Sequence, residues 1–550
     1  MNDVWFEIDK ERYLAAKPQF NRILFFPDYM ITNTETNPQR TDWQNNADYI
    51  NYKDGKYDFN SAEMEILYKY LDLIKSYGGK YYINFGFGVS SRIASWYSIV
   101  SGDTGSAPRE VDLYAKACAA LLKELKNRGY GNELLGVSFY NEPNGGGFKL
   151  ADGENTTKAQ KIVYYNNIIN AVHSELTVQK LNVDILAAEI SNVMTNDKFG
   201  NYTFLKETAG NSKVSAATFH MYYWTLYGDK YGIDAPVNAN YIKNLAETAG
   251  AVLKKPMYLT EFNTGNYDYG KGSAEESSGG LWTWDTSNAS LFITSANSGI
   301  RGAARWNYAS SYWTDPFNFL TDPVNNYESL WLNATSAKNV EYGVLDKFYE
   351  ESLLTNYVKA GSEVLGSAAS NSDGTRIAAF RLPDGNYTVV VEVKEGGSRN
   401  LSISFDKAIN KKFYRMSFNH KVANNGNATV RSCEKVFKNV GDRIFDSVSG
   451  DYAYYVYTTC TPIKQIELNK VTATVEAGKS IEFTPSFVDC SEDDEELVWE
   501  VSACTGSYPG NVSNGIYTAS GNAEKGDLVA VKASLASDPL TYAVAVIEIK

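Results

Sequence analysis

The sequence predicts an α/β chain of parallel βα units over its first 360 residues, followed by two smaller all-β modules. Three observations carry this. Between residues 20 and 308, short β-branched and aromatic runs alternate with longer segments of helical period, the pattern of a parallel sheet covered by helices. Two of those runs, 136–140 and 257–260, lead into a Glu with Asn and Gly close behind. Beyond residue 360 the helical period disappears, and short strands alternate with turns such as Asp384-Gly385 and Gly396-Gly397. At 550 residues the chain is also too long for a single core.

The elements follow in order. FNRILFF at 20–26 is the first clear strand, and Ala62–Tyr77 is a helix with Met64, Leu67, Tyr68, Leu71 and Ile74 on one face before Gly78-Gly79. A strand at 81–87, a helix over Glu110–Arg128 and a strand at 134–140 come next. Helix 157–174, strand 183–189, a further helix and strand 217–223 continue the alternation. Helix Ile242–Leu253, strand 257–262, helix Ala289–Asn297 and strand 303–308 complete it, and 342–358 is the last helix of this kind. Strands are then expected at 377–382, 387–393, 400–405, 411–418 and 452–458, a β-sandwich over 361–462 packed on the first domain. Residues 463–550 form about seven more short strands.

Chemistry concentrates in two stretches. In Gly136-Val137-Ser138-Phe139-Tyr140-Asn141-Glu142-Pro143-Asn144, a strand stops abruptly at a Pro-Asn-Gly turn, which leaves Glu142 at its C-terminal lip. Pro256-Met257-Tyr258-Leu259-Thr260-Glu261-Phe262-Asn263 repeats the design. Two carboxylates at the ends of two strands are what glycoside hydrolysis requires, one to protonate the leaving oxygen and one to attack the anomeric carbon.

With this pair the sequence resembles the large clan of retaining glycosidases built on the (β/α)8, or TIM, barrel. The resemblance implies that Glu142 is the acid/base after the fourth strand and Glu261 the nucleophile after the seventh. It implies that Asn141 bonds the sugar 2-hydroxyl, that His220 and Tyr222 are the His-x-Tyr of strand six, and that Trp306 floors the sugar at the cleavage point. Trp224 and Trp313 extend that platform, and all three Trp are equally readable as core. Arg22, inside the first clear strand, is expected to keep Glu261 ionised. Glu189, a third carboxylate at the same lip, is read as a binding or supporting residue. The Val498-Trp499 pair and the Asn514-Gly515-x-Tyr517 turn resemble bacterial immunoglobulin-like domains.

On the clan's count, strand 20–26 is the second and strand one is missing. VWFEI at 4–8 reads better as a helix than a strand, so strand one and any signal peptide are expected upstream, the counter-reading being a shortened strand one at 4–8. The net charge of −13 argues against nucleic acid or anionic membranes as partners. No apolar run approaches the roughly 20 residues of a membrane span. Only three His are present and none sits at ligand spacing, so no metal or other cofactor is expected. Cys433 and Cys460 are close enough in sequence to pair, as are Cys490 and Cys504, and free thiols are the alternative for all five Cys. The expectation is a monomeric, extracellular or cell-surface enzyme cleaving β-linked sugars. A non-catalytic carbohydrate-binding or adhesin protein on the same scaffold and a transglycosidase are the rivals.

Overall fold

The computed structural model describes residues 10–550 apart from 11–12, 39, 87, 192, 194–196, 198–199, 223–238, 264–286, 306–308, 312–330, 334–345, 371–373, 395, 420–432, 450–452, 463–465, 471, 488–495 and 540. The chain divides into two compact units, one of residues 19–264 with 294–305, the other of residues 1–18, 265–293 and 306–550.

The first unit holds seven parallel strands among the described residues: β1 (Phe20–Phe25), β2 (Lys80–Phe85), β3 (Leu134–Phe139), β4 (Leu186–Ile190), β5 (Ala216–Tyr222), β6 (Met257–Asn263) and β7 (Ile300–Arg305). They pair as β1-β2-β3 and β4-β5-β6-β7. A parallel bridge between Val137 and Ile185 joins the two runs, and Gly302 on β7 faces the Phe20 ring of β1. The strand expected at 303–308 therefore starts three residues earlier. Residues 4–8, expected as a helix, lie outside the described residues.

Helices α1 (Ala47–Lys53), α2 (Ala62–Ser76), α3 (Val111–Asn127), α4 (Lys158–Val178), α5 (Asn201–Ala209), α6 (Ala239–Leu253) and α7 (Asn288–Asn297) alternate with these strands. Their starts are written locally. Asn46 caps α1 by accepting from the N–H groups of Asp48 and Tyr49, and Ser61 caps α2 through Met64. Thr157 and Gln160 form a reciprocal capping box on α4. The inward stripe of α2 buries Met64, Leu67, Tyr68, Leu71 and Ile74, as its helical period predicts.

Inside the ring, a lower layer of Tyr82, Leu186 and Ala216 packs with Phe20, Leu135 and Tyr258. Phe20 stacks on Tyr82 and Tyr258 at centroid distances of 5.5 and 5.2 Å. Gly136 is required here, because a Cβ would lie 2.6 Å from the Asp184 carbonyl oxygen. The layer above is polar. Asn84, Ser138, Thr218 and His220 are fully buried, and Asn84 Nδ2 donates to Ser138 Oγ at 2.9 Å. A barrel whose interior turns polar toward the C-terminal ends of its strands is arranged for a site there.

In the second unit, α8 (Asp346–Tyr357) lies beside the β-rich region. Thr388 Oγ1 donates to the Tyr357 carbonyl at 2.6 Å, and Tyr454 OH donates to that of Glu350. A six-stranded sheet, ordered 363–365, 375–381, 387–393, 453–458, 411–419 and 435–440, faces a two-stranded one, 398–404 with 443–449. Val389, Val391, Phe413 and Tyr457 from one meet Ile403, Ile444 and Val448 from the other. Strands at 363–365, 435–440 and 443–449 were not expected.

The last segment pairs 472–475, 542–549, 528–535 and 497–503 in one sheet and 480–482, 516–518 and 511–513 in another. Tyr517, Val529, Val531, Ala545 and Ile547 form their shared core. Asn514 and Gly515, at φ 48° and 82°, make the hairpin turn between 511–513 and 516–518. Neither of the two pairings that sequence spacing allows forms, and the free-thiol alternative holds for three of the five Cys. Cys433 is disulfide-bonded, but Cys460 and Cys504 are free, as is the buried Cys118, and Cys490 lies outside the described residues. Nearness in sequence did not bring the sulfur atoms together.

Candidate active site

Seven residues, carried by six strands or the turns that follow them, converge at the C-terminal end of the barrel strands. Arg22 on β1 is central. Its Nη1 donates to Glu261 Oε2 at 2.7 Å, and its Nη2 donates to Asn141 Oδ1 at 2.6 Å and lies 3.1 Å from Glu189 Oε2. His220 on β5 is the second hub. Its Nδ1 lies 3.0 Å from Glu142 Oε1 and 3.5 Å from Glu261 Oε2, and its Nε2 lies 3.0 Å from Glu189 Oε2. The Tyr82 hydroxyl on β2 reaches the same Glu189 oxygen at 3.4 Å.

Two of the carboxylates are aimed by irregularities that strand periodicity does not anticipate. Tyr258 packs on Phe20, and Glu261 bonds Arg22. Phe20 and Arg22 share a face of β1, whereas residues 258 and 261 should point to opposite faces of β6. The β5–β6 register explains this: Phe219 pairs with Leu259 and His220 with Glu261, so β6 carries one extra residue. β4 does the same, since Ala187 pairs with Ala217 and Ile190 with Phe219. There Glu189 takes φ 57° and turns inward. A bulge re-aims a side chain in this way, and bulges gather at such sites.

Glu142 is placed by the turn after β3. Tyr140 and Glu142 both have left-handed φ, 59° and 50°, an unfavourable conformation for residues with a Cβ that the surroundings must hold. The Tyr140 hydroxyl donates to the Ser106 carbonyl, and the Glu142 N–H donates to that of Glu189 at 3.0 Å. Beyond it, Asn144 and Ser191 exchange hydrogen bonds, and Lys161 Nζ donates to the Gly145 carbonyl at 2.5 Å.

Exposure separates the roles. The Glu142 side chain is 33% exposed and that of Glu261 9%, whereas those of Glu189 and His220 are wholly buried. Arg22, His220 and Glu189 were expected among the groups that bind sugar. Glu189 and His220 cannot do so, because the inward turn of β4 and the barrel wall seal them off. Arg22 spends both of its terminal nitrogens on protein carboxylates and Asn141. These three support the exposed groups from behind.

Electrostatics follow from the packing. Burial by itself pushes the Glu189 carboxyl up, but Arg22 and then His220 outweigh it and hold it at about 2. Burial likewise disfavours the charged His220 ring, yet Glu261, with the bonds to Glu142 and Glu189, raises it to about 9 against the opposing Arg22. His220 is therefore an imidazolium at neutral pH. One ligand atom each from Glu142, His220 and Glu261 lies within 4.8 Å of the others, a spacing that could hold a metal ion. A cation there would meet the Arg22 guanidinium as a like charge on the Glu261 carboxylate. The side chain of Tyr222, together with Trp224, Trp306 and Trp313, lies outside the described residues, as does the 264–281 loop. Sequence reasoning gave no role to Tyr82, whose place inside the barrel follows from its alternation within β2.

No family model matches the sequence, and no curated protein matches it. Among solved structures the chain is similar to an endo-β1,6-glucanase, at 13% identity and a TM-score of 0.50, over 82% of this chain and 87% of that one. It is also similar to a glucosidase from Croceicoccus marinus, at 10% identity and a TM-score of 0.50, over 82% and 90%. At these identities the likeness is one of fold. The chain belongs to the class of TIM-barrel structures with a β-rich C-terminal region.

Proposed function

We propose that the chain is a retaining glycoside hydrolase that cleaves β-linked glycosidic bonds in an oligo- or polysaccharide. The observation that carries the reading is the pairing of a half-exposed Glu142 with Glu261, one oxygen of each within 4.8 Å. Retaining enzymes hold their carboxyl groups about 5–5.5 Å apart, and inverting ones about 6.5–9.5 Å to admit a water. In this reading Glu261, ion-paired to Arg22, attacks the anomeric carbon. Glu142 gives its proton to the departing oxygen and then takes one from the water that releases the glycosyl-enzyme. Asn141, oriented by Arg22, is the donor for the sugar 2-hydroxyl.

The fold shared with a glucanase and a glucosidase supports a carbohydrate substrate, and the aromatic wealth of the chain suits sugar stacking. In the same reading residues 1–360 form the catalytic domain, 361–462 a β-sandwich and 463–550 an immunoglobulin-like domain, in a monomer acting outside the cell. Among the described residues no helix is long and apolar enough to cross a membrane. The test is a panel of β-linked polysaccharides with NMR of the first-formed anomer, together with labelling by an activated 2-deoxy-2-fluoro glycoside. Retained configuration and a label on Glu261 are expected. Inverted product, or a label elsewhere, overturns the assignment.

A further inference from the structure

Glu189 is a carboxylate that the double-displacement scheme does not use. It is sealed from solvent, yet it is bound to the acid/base residue along two routes. Its carbonyl accepts the Glu142 N–H at 3.0 Å, and its carboxylate reaches Glu142 through the His220 ring. A single oxygen, Oε2, faces Arg22, His220 and Tyr82. Beside Arg22 that oxygen is anionic and can only accept, so His220 Nε2 carries a proton and donates it. The ring is thereby fixed with Nδ1 toward the site, 3.0 Å from Glu142 and 3.5 Å from Glu261. Glu261 already has Arg22 as its counter-ion, which leaves Glu142 as the closer partner of Nδ1.

Resting on the glycosidase reading, we propose that Glu189 is a positioning residue that joins His220 and Glu142 into one proton-sharing unit. One proton occupies the line between His220 Nδ1 and Glu142 Oε1. When a glycosidic oxygen reaches Glu142, the proton moves onto the carboxylate and from there to that oxygen as the C–O bond breaks and Glu261 bonds the anomeric carbon. His220 is then neutral, its Nε2–H still held by Glu189, and Glu142 is ionised. Water next loses a proton to Glu142, its oxygen bonds the anomeric carbon and Glu261 departs, so the shared proton is restored. The negative charge of Glu189 behind the ring strengthens the unit's hold on that proton. The groups facing His220 are Glu142 beyond β3, Glu189 on β4, Glu261 on β6 and Arg22 on β1, with Tyr82 on β2 reaching it through Glu189. The same arrangement is consistent with the raised His220 ring.

The experiment compares wild type, Glu189→Gln and Glu189→Asp by two readouts. The first is ¹⁵N NMR titration of the ring nitrogens, with His220 distinguished from the other two histidines by His173→Gln and His420→Gln. The second is the pH profile of kcat/KM on a substrate with a poor leaving group. Glu189→Gln should lower the His220 midpoint by about one pH unit or more, with the alkaline limb of kcat/KM moving the same way. Glu189→Asp, which keeps the charge, should restore most of both, and it carries the comparison if the Gln variant does not fold. An unmoved His220 midpoint, or a moved midpoint with an unmoved alkaline limb, overturns the proposal and leaves Glu189 a structural residue. Absence of both turnover and Glu261 labelling in wild type would instead overturn the glycosidase reading, and the NMR readout would still decide whether Glu189 controls His220.

Discussion

Among the described residues two buried acids, Glu189 and Asp446, are each held by cations and a tyrosine, and of the two Glu189 adjoins the candidate site. In the barrel, Glu189 is met by Arg22, His220 and Tyr82. In the β-sandwich, Asp446 is met by Arg415 at 2.8 Å, Lys435 at 2.7 Å and the Tyr457 hydroxyl at 2.9 Å. Both side chains are wholly inaccessible. Among the described residues Arg415 pairs onward with Glu434, a single exposed carboxylate on the same module. The cations around Glu189 reach two carboxylates that lie close together, Glu142, 33% exposed, and Glu261, 9% exposed. Asp446 lies on a regular alternating strand, whereas Glu189 occupies a bulge at positive φ. A buried charge network is thus no mark of function by itself. The mark is a network whose cations converge on two neighbouring carboxylates and whose buried acid sits on an irregular backbone.

The comparison breaks most visibly through the neighbouring carboxylates Glu142 and Glu261. Glu261→Ala should abolish turnover, a loss of at least about 10⁴-fold, and azide should partly rescue it as the α-glycosyl azide. Glu142→Ala should cost about 10²–10⁴-fold on poor leaving groups while sparing activated aryl glycosides, and azide should then yield the β product. Equal and unrescued losses would leave the two roles unassigned. No substitution at Asp446 should do either.

Removing one cation from each cluster sharpens the contrast. Arg22→Met and Arg415→Met each leave a buried carboxylate short of a partner, with an expected stability cost of about 3–5 kcal/mol in urea unfolding. Only Arg22→Met should also lower kcat at temperatures where both variants remain folded. A matching kcat loss in Arg415→Met would contradict the separation.

The pH dependence of stability should distinguish the clusters next. His220 has a folded value of about 9 against an ordinary 6.5. Its contribution is complete below about pH 6.5 and is lost as pH rises through about 9. Glu189, held at about 2 against 4.5, contributes fully above about pH 4.5 and loses that contribution as pH falls through about 2. Asp446 is also held low: burial pushes it up, but Lys435, Arg415 and Tyr457 outweigh that, so acid weakens both clusters. Alkaline weakening between pH 6.5 and 9 should appear in the wild type and vanish in His220→Gln.

The smallest effect concerns the tyrosines. Tyr457→Phe removes a 2.9 Å bond to Asp446 and should cost about 1 kcal/mol. Tyr82→Phe removes a 3.4 Å one and should cost less. Thermal denaturation of the two variants would show the order.

Much of this was legible in the chain itself. The strand–helix alternation placed all seven described barrel strands, because β-branched runs and helical stripes report their own periods. The Asn141-Glu142 strand end was readable because Pro143 and the glycines after it stop a strand, and Glu261 because its apolar strand runs out two residues later, at Asn263. Arg22 stood out as a charge in an otherwise apolar strand, and such a charge demands a partner. What only the tertiary structure decided begins where a strand departs from strict alternation. One extra residue in β4 and one in β6 turn Glu189 and Glu261 inward, and period-two reasoning assigns each to the wrong face. Burial of Glu189 is likewise a relation between distant segments, and no local period encodes it. A bulge depends on the register of two neighbouring strands at once, so the aim of the site was written between strands rather than along any one of them.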